Sequence, residues 1–225
     1  MAVVTMDEGD NKLNLEMVDS LLAMLERVEK ETDALTLVVK SGHQHIWSNG
    51  FDLEWVAARY GASDKESVAR FLVRDIELRI RLLSYPLITV AAFTGHVFGG
   101  AAVLSCCFDF RFMRSDRGYF CIPVVDRGYP ILPGTRELLG TVLPAWLVPE
   151  LILTGRRLTG LECAEYRLVS AAWPDGELME KVMAFAGGLN KGRQIVGAMK
   201  QVLHSRTIQL MEEDKSVLQQ GEIRV

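Results

Sequence analysis

Two hydrophobic periods alternate along this chain. Short, partly β-branched apolar runs at residues 3–6, 35–39, 88–93 and 108–114 predict buried strands. Between the first two, Leu15, Val18, Leu21, Leu22, Leu25 and Val28 recur at helical spacing, with Asn14 placed to cap the helix. Residues 52–59 predict a short helix capped by Asp52. A longer helix follows to about residue 83, capped by Ser63 or Asp64, with Val68, Phe71, Leu72, Ile76, Ile80 and Leu83 on one face. Arg70, Arg74, Arg79 and Arg81 are interspersed on it, and with Asp75 and Glu77 they predict a solvated, ion-paired face. Strand, helix and strand in this rhythm indicate parallel βαβ units and an α/β fold.

The second half reads as smaller pieces. Residues 115–118 turn the chain and 119–121 form a short strand. Residues 123–134, rich in Pro and Gly, predict a structured loop, and 135–139 and 144–153 two helices. A turn at 154–160 leads into a helix through 164, and Leu168-Val169 lead to a further strand. From 177 the pattern is helical, interrupted at Gly187-Gly188, with a last helix over 195–218. The polar stretch 41–49 predicts a loop, and its His43 and His45, without Cys or carboxylate partners nearby, read as solvated rather than metal-binding.

Two glycine-containing turns are the candidate chemistry. After the strand 88–93, Gly99-Gly100 precedes the apolar Ala101, Ala102, Val103 and Leu104, which predict a short buried helix. Amides at a helix start lack internal acceptors and sit at its positive end, and bare glycines let a ligand approach them. After the strand near 34–40 comes Trp47-Ser48-Asn49-Gly50-Phe51-Asp52-Leu53.

That segment, followed about 45 residues later by Gly95-His96-Val97-Phe98-Gly99-Gly100-Ala101, resembles the crotonase (enoyl-CoA hydratase/isomerase) superfamily. The resemblance runs from Val3 to about Lys200, and Phe112-Met113-Arg114-Ser115-Asp116-Arg117-Gly118 is similar to the plant-type Δ3,Δ2-enoyl-CoA isomerases. It implies a crotonase-like ββα spiral over residues 1–170, with a helical oligomerisation region over 171–225 and a homotrimer or hexamer. It also implies an acyl-CoA substrate whose thioester oxygen receives the N–H groups of Phe51 and Gly100, donors of a kind each worth roughly 100- to 1000-fold in rate. Ser48, Asn49, Gly50, Asp52, Leu53 and Gly99 would build the two turns, and coenzyme A would enter as part of the substrate, with no separate cofactor. For the arginines of the long helix, contact of one of them with the CoA phosphates is the alternative to the solvated, ion-paired face.

The resemblance also exposes a departure. The positions of the two hydratase glutamates fall on Val103 and Val124, the isomerase base again on Val124, and a third acid position on Leu132. All are apolar. Asp126 is the first alternative proton carrier, with Tyr129, Cys121 and His96 behind it. Three activities stay open: isomerisation, acyl-CoA binding without turnover, and thioester hydrolysis.

Composition narrows the partners. With 225 residues, 49% hydrophobic and 24% charged, the chain suits a soluble globular protein, and a net charge of −4 provides no basic field for nucleic acid. No run of apolar residues is long enough to span a membrane. The termini show no secretory or peroxisomal Ser-Lys-Leu pattern, so the expected location is cytoplasmic. Cys106, Cys107, Cys121 and Cys163 lack metal-binding spacing and read as buried thiols of a reducing compartment.

Overall fold

The computed structural model describes residues 1–220. Its main sheet has five parallel strands in the order β1 (Ala2–Met6), β2 (Thr36–Ser41), β4 (Ile88–Phe93), β6 (Phe110–Arg114) and β9 (Ala171–Trp173). The side-chain period of two divides each central strand between two cores. Leu37 and Val39 of β2, and Ala91 and Phe93 of β4, enter the larger core with α1 (Leu15–Glu31) and α3 (Lys65–Leu83). Val38, Val90, Ala92 and Phe112 face the other way, against Leu178, Val182 and Ala186 of α8 (Asp175–Gly188).

Three of the main strands each hand the chain to a short strand of a second sheet. β2 leads to β3 (Ile46–Ser48), β4 to β5 (His96–Phe98) and β6 to β7 (Tyr119–Cys121). These three pair in parallel, and β8 (Leu158–Thr159) closes the edge antiparallel to β7. A helix follows β3 and β5 directly: α2 (Leu53–Gly61), continued by α3, and α4 (Gly99–Ser105). After β7 a 3₁₀ turn, Val125–Arg127, precedes α5 (Pro133–Val142). The result is a repeated strand–strand–helix spiral, with α6 (Leu147–Thr154) and α7 (Gly160–Glu165) packed around it.

The caps follow the sequence. Asn14, Asp52 and Asp64 accept the amides of Met17, Trp55 and Ser67 and so start α1, α2 and α3. Five differences from the sequence pattern stand out. The polar stretch 41–49 ends in β3, and β5 occupies the break expected after residue 93. The expected boundary at 170 falls inside the main sheet, because β9 pairs with β6 and α8 covers the sheet. Gly187-Gly188 ends α8 rather than interrupting a longer helix. The last helix is two, α9 (Arg193–Leu203) and α10 (Ser205–Gln219), joined at His204. The bend has a cause at each end: α9 is tied to the sheet by buried Lys200, whose ammonium donates to Asp109 at 2.8 Å, while α10 turns to pack on α3 and α5. Among the described residues no helix is long and apolar enough to cross a membrane.

Candidate functional site

The first glycine turn is held by the chain that follows β1. Asn11, fully buried and with φ of 50°, donates from its side-chain amide to the Ser41 hydroxyl (2.8 Å) and the Trp47 carbonyl (3.1 Å). The Ser48 hydroxyl donates to the Asn11 carbonyl at 2.5 Å, and the Asn49 side chain donates to Asp10 at 3.0 Å. Leu13 then bridges the turn: its amide donates to the Gly50 carbonyl (2.7 Å) and its carbonyl accepts from Asp52 (2.8 Å). In such a parallel bridge the intervening Phe51 amide points away from Leu13 and takes no part. Gly50 is left-handed, with φ of 79°, and a β-carbon there would collide with the Phe98 carbonyl oxygen.

The second turn meets the first. Gly99, with φ of 55°, and Gly100 open α4, where amides have no intrahelical acceptor. A β-carbon on Gly50 would stand 3.1 Å from the Gly100 nitrogen, and one on Gly100 would strike the Phe51 ring. The two glycines therefore permit a backbone approach that side chains would prevent. The Phe51 ring is fixed in turn by Phe71 of α3, edge-on with ring centres 5.0 Å apart.

Asn49, Phe51, Leu53, Gly99 and Gly100 line one cavity of about 250 Å³. Ser48, Gly50 and Asp52 support it from behind: Ser48 and Gly50 are buried in the turn, and Asp52 caps α2. The opposite walls come from Val103 of α4, from α3, from the loop holding Pro123, Val124, Tyr129 and Leu132, and from Leu218 of α10. Val103, Val124 and Leu132 all face this cavity and make its wall apolar. The structure does not bring Asp126 there. Its side chain is exposed and its carboxylate lies against Gly155 at the end of α6.

Tyr129 lines the cavity, whereas Cys121 and His96 do not. The Cys121 thiol donates to the Gly155 carbonyl at 3.1 Å, and burial pushes its pKa up. His96 accepts the Tyr119 amide at 3.3 Å, and burial, helped by Arg157, Arg117 and His45, lowers its pKa. The thiols of Cys106 and Cys107 are buried; burial pushes Cys106 up to about 11 and Cys107 further in the same direction. Among the described residues, no three His, Cys, Asp or Glu side chains group as metal ligands would.

The expected charged face of α3 is where the sequence pattern misleads. Arg74 does behave as a surface pair, meeting Asp19 and Glu77 at 2.7 Å. Asp75 and Arg79, however, are only 2% and 6% exposed and line the cavity. Arg79 binds Oδ2 of Asp75 and donates to the Thr135 hydroxyl at 3.1 Å. Oδ1 of Asp75 and Nε of Arg79 have no partner among the described residues. Desolvation pushes the Asp75 carboxyl above its usual range, against the pull of Arg79. Their i,i+4 spacing was the only signal of the pair in the sequence, and it is shared by ordinary surface pairs.

Comparison with known proteins supplies the context. Residues 1–221 match the family model described as enoyl-CoA hydratase/isomerase. Enoyl-CoA delta isomerase 3 of Arabidopsis thaliana is 28% identical over 171 residues, covering 75% of this chain and 71% of that protein. The peroxisomal enoyl-CoA delta isomerase 2 of the same plant is 27% identical, covering 76% and 72%. Among solved structures, a probable enoyl-CoA hydratase of Mycobacterium tuberculosis superposes with a TM-score of 0.86 at 22% identity, over 97% of this chain and 91% of that one.

Proposed function

Because the chain belongs to the enoyl-CoA hydratase/isomerase family, we propose that it binds an acyl-CoA thioester in the cavity described above and isomerises a 3-enoyl-CoA to the 2-enoyl-CoA. The observation that carries this reading is the meeting of the two glycine turns at one apolar cavity, with the Phe51 amide outside the Leu13 bridge and the Gly100 amide in the first turn of α4. In this reading both amides donate to the thioester oxygen as it gains charge. Donors fixed in advance favour the enolate over the ground state, because they need not reorganise when the charge appears. Coenzyme A arrives with the substrate, and no further cofactor takes part.

The apolar wall selects among the family's chemistries. Water addition needs groups that position and activate water, and Val103, Val124 and Leu132 offer none. Isomerisation needs no water; it moves one proton along the chain, for which a dry pocket is an advantage. The same apolar wall favours the second reading, an acyl-CoA-binding protein without turnover. The assembly proposed is a homotrimer or hexamer, supported by the exposed apolar side chains Ile195, Met199, Val202 and Leu203 on and beside one face of α9.

Incubation with 3-hexenoyl-CoA, followed by chromatography of the thioesters, tests the reading. Conversion to 2-hexenoyl-CoA, with negligible hydration of crotonyl-CoA, is the expected result. Tight binding of hexanoyl-CoA in calorimetry with no conversion supports the binding protein instead. No binding at millimolar thioester removes acyl-CoA altogether.

A further inference from the structure

An isomerase of this kind requires a group that removes a proton from C2 and returns it at C4, and none of Val103, Val124 and Leu132 ionises. Asp75 is the one carboxylate among the described residues that line the cavity. It is 98% buried, and its Oδ1 has no hydrogen-bond partner. Buried polar atoms are nearly always paired, so an unpartnered carboxylate oxygen on an apolar cavity wall calls for a role.

Its position along α3 fits that role. Phe71 packs against the Phe51 ring, and Asp75 follows one helical turn later, about 6 Å along the axis. Helical side chains lean back toward the helix N-terminus, which here returns the carboxyl toward Phe71 and Phe51. C4 of an acyl chain is three bonds from the thioester carbon, at most about 4.5 Å at roughly 1.5 Å per bond. Phe51, Gly100 and Asp75 line the same cavity, so a thioester oxygen at the two amides, with its chain running along α3, would carry C2 to C4 toward the wall that holds Asp75.

We propose that Asp75 is the catalytic proton carrier, an assignment that rests on the isomerase reading. Oδ1 takes the C2 proton; the C2–H pair moves into the C1–C2 bond, and the thioester oxygen takes the charge as a dienolate. The oxygen's charge then returns through the conjugated chain, the Asp75 O–H breaks and its proton forms the new C4–H bond, leaving the double bond between C2 and C3. No co-reactant is consumed. Arg79 positions the carboxyl by holding Oδ2 and is itself held by Thr135, which leaves the buried, unpaired Oδ1 as the oxygen without a competing hydrogen bond. Burial favours the protonated acid and so strengthens the base that removes the proton.

The test compares wild-type protein, Asp75→Asn, and the paired change Asp75→Leu with Arg79→Met, all checked for fold by circular dichroism and melting. The paired change guards against a failure of Asp75→Asn to fold, since it leaves no buried charge unpaired. Three quantities are read: turnover of 3-hexenoyl-CoA, exchange of the C2 protons of hexanoyl-CoA in deuterated water, and hexanoyl-CoA affinity. The proposal expects turnover and exchange to fall at least about 100-fold in each folded variant, with affinity within threefold of wild type. An active wild type whose folded variants keep a third or more of both rates overturns the role of Asp75 and leaves the isomerase reading intact. A wild type that binds hexanoyl-CoA but neither isomerises nor exchanges overturns both.

Discussion

The cavity wall formed by Phe51, Gly99 and Gly100, with Gly50 behind it, is built on backbone, and the wall formed by Asp75, Arg79 and Thr135 is made of side chains. The first is positioned by backbone geometry: a left-handed glycine, a one-residue bridge to Leu13 and the start of a short helix. Its donors are amides, which carry no net charge and do not titrate. The second is positioned by burial. Two of its three groups can carry charge, one oxygen and one nitrogen lack partners among the described residues, and its protonation responds to the surroundings. Backbone donors hold a developing charge without changing state, whereas moving a proton demands a group that does change state. The roles proposed for the two walls divide along that requirement.

The largest expected effect strikes the backbone wall. Gly50→Val places a branched side chain at φ of 79° and against the Phe98 carbonyl. Strain of about 1–3 kcal/mol is expected at such a residue, together with a loss of 3-hexenoyl-CoA turnover beyond about 100-fold as the amides separate. A variant with unchanged melting and full turnover would break the account of that wall.

On the side-chain wall, the contrast is between one change and two. Arg79→Met alone leaves the Asp75 carboxyl buried without its cation and should cost about 3–5 kcal/mol in urea unfolding. The paired Asp75→Leu, Arg79→Met protein should equal or exceed wild-type stability, because apolar residues of similar volume avoid the desolvation of two charges. If the single and paired variants unfold together, the two side chains are not coupled as the structure has them.

What was legible in the sequence divides along the same line. The glycine turns, the Asn14, Asp52 and Asp64 caps and the main strands each leave a signature within a few residues of sequence (paired glycines, a capping side chain, an apolar β-branched run), although distant segments hold them in place. β3 and β5 were hidden because strands of three residues after polar turns carry too little periodicity; their pairing partners lie tens of residues away. Asp75 and Arg79 were hidden because a charged i,i+4 pair looks the same on a wet face and a dry one. Only the arrival of α10, and of Thr135 from α5, makes that face of α3 an interior. Asp126 shows the reverse: its segment placed it beside the site in sequence, and the 3₁₀ turn carries it to the surface.

A smaller effect separates the walls by pH. The Asp75 carboxyl titrates above the usual aspartate range because burial outweighs Arg79; the titratable groups around the pair include the Cys107 and Cys106 thiols after α4, Asp214 of α10, and Tyr129 and Arg127 of the facing loop. The folded state then holds a proton that the unfolded chain has released. Stability contributed by this group should fall as pH rises from the ordinary aspartate pKa to the raised one, and level off beyond it. In kcat/KM, the acid limb should lie above the usual aspartate range and disappear in the paired variant, whose loss of rate no longer depends on this titration. The smallest effect is expected at Asp126→Asn. Its side chain is exposed and outside the cavity, so turnover and melting should stay within about twofold and 0.5 kcal/mol; a large loss of rate would return the proton to that acid.

Leu218 of α10 completes a cavity whose opposite wall begins at Asn49. The binding space is thus a long-range product, enclosed only when segments from both halves of the chain have docked. Local strand–strand–helix units can form early, while loop-closure entropy delays contacts between distant segments, and this cavity gathers such contacts in one place. An acyl-CoA that fills it would bind only the finished molecule and report on its completion. At a hundredfold excess over its dissociation constant, such a ligand would add about 2.7 kcal/mol to the stability of the entire fold.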